Sequence, residues 1–123
     1  MIIGTQNCNG LQLDKSKTDC LKTLVDKEHF DLLFLQETHV DTLKLGKSIE
    51  NKLDGKMFWS FGASNSRGVG IYLSKLLEFH VHKFITDPFG RFLIVDATIE
   101  GNDFRIINIY APNNPTERKK LLY

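Results

Sequence analysis

Leu32-Leu33-Phe34-Leu35 is the feature that most limits what this chain can fold into: four consecutive apolar side chains of strand length, bounded by Asp31 and Gln36. Successive side chains of a strand face opposite sides, so a run without a polar face needs apolar cover on both. The run ends in Gln36-Glu37-Thr38-His39, which puts a carboxylate directly beyond a buried strand. The same event occurs twice more. Gln6-Asn7-Cys8-Asn9-Gly10-Leu11 follows the mainly apolar opening 1–6, and Tyr110-Ala111-Pro112-Asn113 follows an alternating run. Three such clusters predict a sheet rim that aims an amide, a carboxylate and a phenol at one cleft, a combination suited to metal-assisted phosphodiester chemistry.

The remaining periodicities predict a helix over 16–29, with Leu21, Leu24, Val25 and Glu28 at helical spacing and Ser16 and Asp19 resembling a capping box. A second helix is expected over 41–53 from Leu45, Ile49 and Leu53, although Gly46 weakens it by up to ~1 kcal/mol. Strands follow at 57–61 and 69–73, separated by the polar loop 62–68, and an imperfectly alternating one at 79–85. After the turn 87–90, the strands 92–99 and 104–110 form a hairpin about Gly101-Asn102-Asp103. The order thus changes from strand–helix units to consecutive strands. Beyond Pro112, Asn114, Pro115 and Glu117 carry the marks of a helix start with nine residues remaining from Pro115, so the chain is expected to break off inside an element.

With 41% hydrophobic and 25% charged residues, 123 residues suffice for one domain with a buried core. Sixteen Lys+Arg against fifteen Asp+Glu leave a formal net charge of +1, which excludes a global basic field; contact with a polyanion would rest on local groups. Cys8 and Cys20 are too few for a disulfide scaffold and point to a reduced, intracellular chain. Residues 1–30 show no basic stretch followed by an apolar h-region and no apolar run approaches the ~20 residues of a membrane span, so a soluble chain with no membrane partner is expected.

Each candidate residue has a plain alternative. Glu37 is either a ligand of a hard divalent cation, which compensates a carboxylate drawn toward low dielectric, or a solvated strand-end glutamate paired with a lysine. His39 is a ligand or a surface histidine. Asn7 and Asn9 offer amides to phosphate oxygens or metal-bound water, or serve the turn that Asn9-Gly10 announces. Tyr110 donates to a phosphate oxygen or packs as a strand-end aromatic; Asn113 reaches the same cleft or only turns the chain. Arg67, in Ser64-Asn65-Ser66-Arg67-Gly68, meets a phosphate backbone or caps a solvated hairpin.

In order and spacing, 6–11, 31–39, Ser66-Arg67-Gly68-Val69-Gly70-Ile71 and Asn108-Ile109-Tyr110-Ala111-Pro112-Asn113 resemble the N-terminal half of the endonuclease/exonuclease/phosphatase superfamily. Leu-Gln-Glu-Thr-His, Ser-Arg-Gly-Val-Gly and Ile-Tyr-Ala-Pro-Asn are most similar to the apurinic-endonuclease-like domain of non-LTR, LINE-type retrotransposons. The resemblance implies a DNase I-like, four-layered α/β sandwich of mixed sheets flanked by helices. It further implies a Mg²⁺ site, with Mn²⁺ as a substitute, and DNA as the partner of the full-length parent, in the nucleus if the retrotransposon likeness holds. It assigns Glu37 to the metal, Asn7 and Tyr110 to the scissile phosphate, and Asn113 to a neighbouring polar position. Asn9 stands where abasic-site endonucleases often carry an acidic residue; it is a secondary metal contact and argues against abasic-site repair. The family's Gly-Asp-x-Asn and Ser-Asp-His motifs are missing. Residues 1–123 are therefore expected to be the N-terminal part of a single domain, inactive alone. Half a sandwich is also expected to leave one sheet's inner face uncovered and to self-associate. A phosphoinositide phosphatase or other phosphoesterase of the same fold, or a decayed non-catalytic copy, are the alternatives.

Overall fold

The protein is described from a computed structural model, which covers residues 1–11 and 15–111. Its elements are β1 (Ile3–Asn7), α1 (Lys15–Glu28), β2 (Leu32–Gln36), α2 (Leu43–Leu53), β3 (Gly55–Ser60), β4 (Val69–Ser74), β5 (Phe79–Thr86), β6 (Phe92–Ile99) and β7 (Asn102–Ile109). They form a four-stranded sheet of order β1-β2-β4-β3 and a three-stranded sheet of order β5-β6-β7. Only β1 and β2 are parallel, because α1 carries the chain back between them; the other pairs are antiparallel.

The apolar run of β2 is covered on both faces. Leu33 and Leu35 pack with Leu21 and Val25 of α1 and Ile49 and Leu53 of α2, while Leu32 and Phe34 turn to Val95, Ala97, Ile99 and Ile106 of the second sheet. Helices, first sheet and second sheet are thus three successive layers of a partial α/β sandwich. Each fully buried Leu or Ile contributes about 1.5–3 kcal/mol. Gly46 has a packing reason: a Cβ there would lie 2.8 Å from Trp59 Nε1, so only glycine lets α2 lie on that indole.

Element boundaries shift for local reasons. Thr42 is the N-cap of α2, its Oγ1 accepting from Leu45 N at 3.2 Å, so the helix starts at Leu43 rather than at 41. Asp54 closes it in the left-handed region (φ 59°) and passes the chain straight into β3. Ser16 lies inside α1 and is not its cap. The helix expected from Pro115 lies outside the described residues. No helix among the described residues is long and apolar enough to cross a membrane.

The expected uncovered inner face takes a different form. The two sheets cover each other across β2, β4 and β3, and among the described residues the β1 side lies open: Ile3, beside Leu32, and Phe104, beside Ala97, face inward yet are 57% and 46% exposed. The outer face of the second sheet adds Ile85, Ile107 and Ile109, all exposed among the described residues. Apolar area of this kind on a sheet edge favours association. The chain is expected to self-associate with rising concentration, and Ile107→Lys with Ile109→Lys to reduce this in sedimentation velocity; a monodisperse wild-type monomer would contradict it.

Candidate active site at the sheet rim

Backbone hydrogen bonds join the three polar clusters into one rim. Beyond the last β1–β2 pair, Cys8 N–H donates to Gln36 O (2.8 Å), Gly10 N–H to Glu37 O (2.7 Å) and Leu11 N–H to Thr38 O (2.8 Å). On the other side Thr38 N–H donates to Gly68 O (3.0 Å) and His39 N–H to Arg67 O (2.9 Å), which brings in Ser66-Arg67-Gly68. Gly68 N–H reaches Gly90 O (2.9 Å), and Tyr110 N–H reaches Arg91 O (2.7 Å). A Cβ on Gly68, at φ 91°, would sit 2.5 Å from Thr38 Oγ1, so this seam excludes any larger residue. Four non-glycine residues hold positive φ here: Asn9 (47°), Glu37 (49°), His39 (56°) and Arg67 (63°). Each costs on the order of 1 kcal/mol, a strain that the surrounding bonds must hold and that clusters at functional sites.

Two bridges between the sheets set the site. The Tyr110 hydroxyl, from the second sheet, donates to Glu37 Oε1, from the first, at 3.0 Å. One layer deeper, Asn108 Nδ2 donates to Leu35 O (3.0 Å) and Gly70 O (2.8 Å), and Gln36 Nε2 donates to Asn108 Oδ1 (2.9 Å) and to Thr5 Oγ1 (3.0 Å). Glu37 is half-buried and, among the described residues, forms no ion pair.

Asn7 ends β1 opposite Gln36, exposed, its Oδ1 accepting from Asn9 N–H at 3.2 Å; Asn9 passes its own carbonyl to Lys17 Nζ at 2.6 Å. A cavity of about 360 Å³ opens beside Asn7, lined also by Cys8, Lys17 and Cys20. A further one of about 440 Å³, between α2, β3 and β5, holds none of the candidate residues. Arg67 is half-buried at the rim, and the His39 ring lies against Gly10. Asn113 lies outside the described residues. Burial pushes the Cys8 thiol up to about 12, Lys17 opposing and the Glu37 carboxylate adding to it, so this thiol stays protonated across neutral pH.

Sequence reasoning missed Asn108 and the Asp87–Arg91 pair. Asn108 carries a visible signal, an amide between Ile106 of β7 and Tyr110 just beyond it on the same inward side, where the pattern asks for an apolar residue. Asp87, 4% exposed, read as turn chemistry; it accepts from Arg91 N (2.9 Å) and Nε (2.8 Å). Burial alone would raise its carboxyl, but Arg91 and the backbone N–H groups of Arg91 and Phe89 hold it below the usual carboxylate range. The pair fixes the loop whose Arg91 carbonyl receives Tyr110.

Solved structures share this architecture. An AP endonuclease from Archaeoglobus fulgidus superposes with a TM-score of 0.62 at 24% identity, over 91% of this chain and 42% of that one. Humanized D. rerio TDP2 gives 0.70 at 18% identity, over 96% and 51%. The 3'-5' exonuclease NExo from Neisseria meningitidis gives 0.65 at 23% identity, over 98% and 48%. The fold is that of these DNase I-like enzymes. The chain spans about half the length of the structures it matches. No protein-family model matches the sequence.

Two outcomes follow from this geometry. At φ 49°, Glu37→Gly is expected to be more stable than Glu37→Ala by about 1 kcal/mol in chemical denaturation, the reverse of the usual order. A raised thiol pKa stabilises the fold fully below the unfolded value of 9.0 and is lost as pH rises toward about 12. Iodoacetamide at pH ~8 should therefore label the exposed Cys20 and spare Cys8 until the chain unfolds, read by peptide mass.

Proposed function

We propose that residues 1–123 are the N-terminal part of a Mg²⁺-dependent DNA endonuclease domain of the LINE-type retrotransposon kind, whose full-length parent nicks a phosphodiester bond. The observation that carries this is the Tyr110 hydroxyl on the Glu37 carboxylate across two sheets, at a strained rim that also holds Asn7 and Arg67. The donors suit the metal: a half-buried carboxylate without an ion-pair partner among the described residues, with the amide oxygens of Asn7 and Asn9 on the adjoining loop. Mg²⁺ takes one or two protein carboxylates and completes its shell with water and substrate phosphate. No group of three or more His, Cys, Asp or Glu that could hold a metal occurs among the described residues, so the reading rests on Glu37 with phosphate and water completing the shell.

Bound there, Mg²⁺ or Mn²⁺ would neutralise charge developing on the phosphate. Glu37 would hold it, its carboxylate positioned by the bond from Tyr110. With the carboxylate committed to the metal, the Tyr110 hydroxyl would turn its one proton from Glu37 to a phosphate oxygen at the rim and donate there in the transition state. The Asn7 amide would orient the scissile phosphate, Asn113 would add a polar contact beside Tyr110, and Arg67 would meet the flanking backbone. General acid–base assistance, worth about 10²–10⁴-fold, would come from the Gly-Asp-x-Asn and Ser-Asp-His motifs that this sequence lacks.

The chain alone should therefore bind Mn²⁺ at Glu37, seen as paramagnetic broadening of Glu37, Asn7 and Tyr110 signals that Glu37→Ala abolishes, while nicking no more supercoiled plasmid in Mg²⁺ than that variant. Broadening that persists in Glu37→Ala removes the metal assignment, and robust Glu37-dependent nicking by the chain removes the division of the site.

A further inference from the structure

A second polar cluster lies away from the rim, on the outer face of the second sheet near the β6–β7 turn. It consists of His80 and His82 on β5, Thr98 on β6 and Asp103 on β7. The histidines are one residue apart, and the β5–β6 register shifts between Val81 and Lys83. Such a bulge re-aims a side chain, here His82, over its neighbour. The two rings stand edge-on, 4.9 Å between centroids at 74°.

Hydrogen bonding sets the tautomer of His82. The Thr98 hydroxyl donates to Asp103 Oδ1 at 2.6 Å, and His82 Nε2 lies 2.7 Å from the same hydroxyl oxygen. An ionised carboxylate only accepts, so the hydroxyl proton points to Asp103, and Thr98 Oγ1 accepts from His82 Nε2–H. The lone pair of His82 is left on Nδ1. This is a hydroxyl-relayed form of the carboxylate support that orients metal-ligating imidazoles and raises their basicity.

We propose that His80 and His82 form a two-imidazole site for a borderline divalent transition metal of the Zn²⁺ or Ni²⁺ type, with water in the other positions and Thr98–Asp103 as the orienting relay. With metal–nitrogen bonds of about 2.0–2.1 Å, an imidazole centroid lies ~3.2 Å from the ion, so two centroids are ~4.5 Å apart at an octahedral right angle and ~5.2 Å at the tetrahedral angle. The observed 4.9 Å falls between these. Imidazole selects such ions over Mg²⁺, so this site and the oxygen-lined rim take different metals. The Asp96–Arg105 pair (2.8 Å) and Lys83, opposite Asp96, flank the cluster, and Asp103 is its own acidic group. With two protein ligands the metal is exchangeable, and its effect is to clamp the β5 bulge. The site shares no residue with the rim, so it stands or falls separately from the proposed nuclease reading.

The test is isothermal titration of the untagged chain with Zn²⁺ and Ni²⁺ salts, together with ¹⁵N spectra of the histidine rings. Saturable binding is expected, with His80→Ala and His82→Ala each abolishing it and His29→Ala leaving it intact. Thr98→Val, which keeps the shape but breaks the relay, should weaken it about 10- to 100-fold. On binding, the His82 Nδ1 resonance should shift while Nε2 keeps its proton, and the melting temperature should rise with metal only in chains that keep both histidines. Undiminished binding by the His80→Ala/His82→Ala double variant, or no binding by the folded wild type, would overturn the proposal. Full affinity in Thr98→Val would overturn the relay.

Discussion

Asn108 holds the two sheets in register, and the rim depends on it. Its side chain is buried at 3% exposure, with both amide protons spent on carbonyls of the first sheet and its oxygen accepting from Gln36. A slip of the second sheet by one residue would break all three bonds and leave polar groups in an apolar layer, at about 1–3 kcal/mol for each unsatisfied group. No buried side-chain polar atom among the described residues lacks a partner, so the observed register is one that satisfies them together. Because side chains alternate along a strand, that register also places Tyr110, two residues on, on the same inner side as Asn108 and within reach of Glu37.

The rim is built at the expense of backbone ease. Asn9, Glu37, His39 and Arg67 all occupy left-handed conformations that β-carbon-bearing residues avoid, and the hydrogen bonds from 8–11 through 36–39 and 67–68 to Gly90 hold them there. The consequence is a carboxylate brought out of a buried strand at a fixed angle. Its neighbours are chosen for geometry as much as for chemistry: Asp87 and Arg91 close on each other, and the Arg91 carbonyl fixes the backbone of Tyr110. Cys8 illustrates the opposite case, a residue at the centre of a polar cluster whose thiol pKa burial pushes up to about 12.

Much of the architecture is legible from short-range signals. The two-faced run of β2 and the apolar stripes of both helices appear where the pattern places them, except that Glu28 is exposed, because burial on a strand or a helix imposes its period directly on the sequence. The hairpin forms too, but turns at Glu100-Gly101, with Asn102 and Asp103 already in β7. Legibility drops where a residue serves a partner distant in the chain. Gly46 reads as a weakness in a helix until Trp59 is seen against it, and Asp87 reads as a turn residue until Arg91 closes on it. The uncovered surface is the same kind of problem: which face lies open depends on the relative width of two sheets, and no single strand encodes that.

By itself the sequence determined the strand and helix types, the strand ends at which the polar clusters fall, and the residue kinds present there, because each follows from local periodicity and turn chemistry. The tertiary structure alone decided that Glu37 meets Tyr110, that Asn108 joins the sheets, and that His82 meets Thr98 over a bulge. Those contacts link residues up to 73 positions apart, and their geometry is set by inter-sheet register and backbone strain, which no local pattern carries.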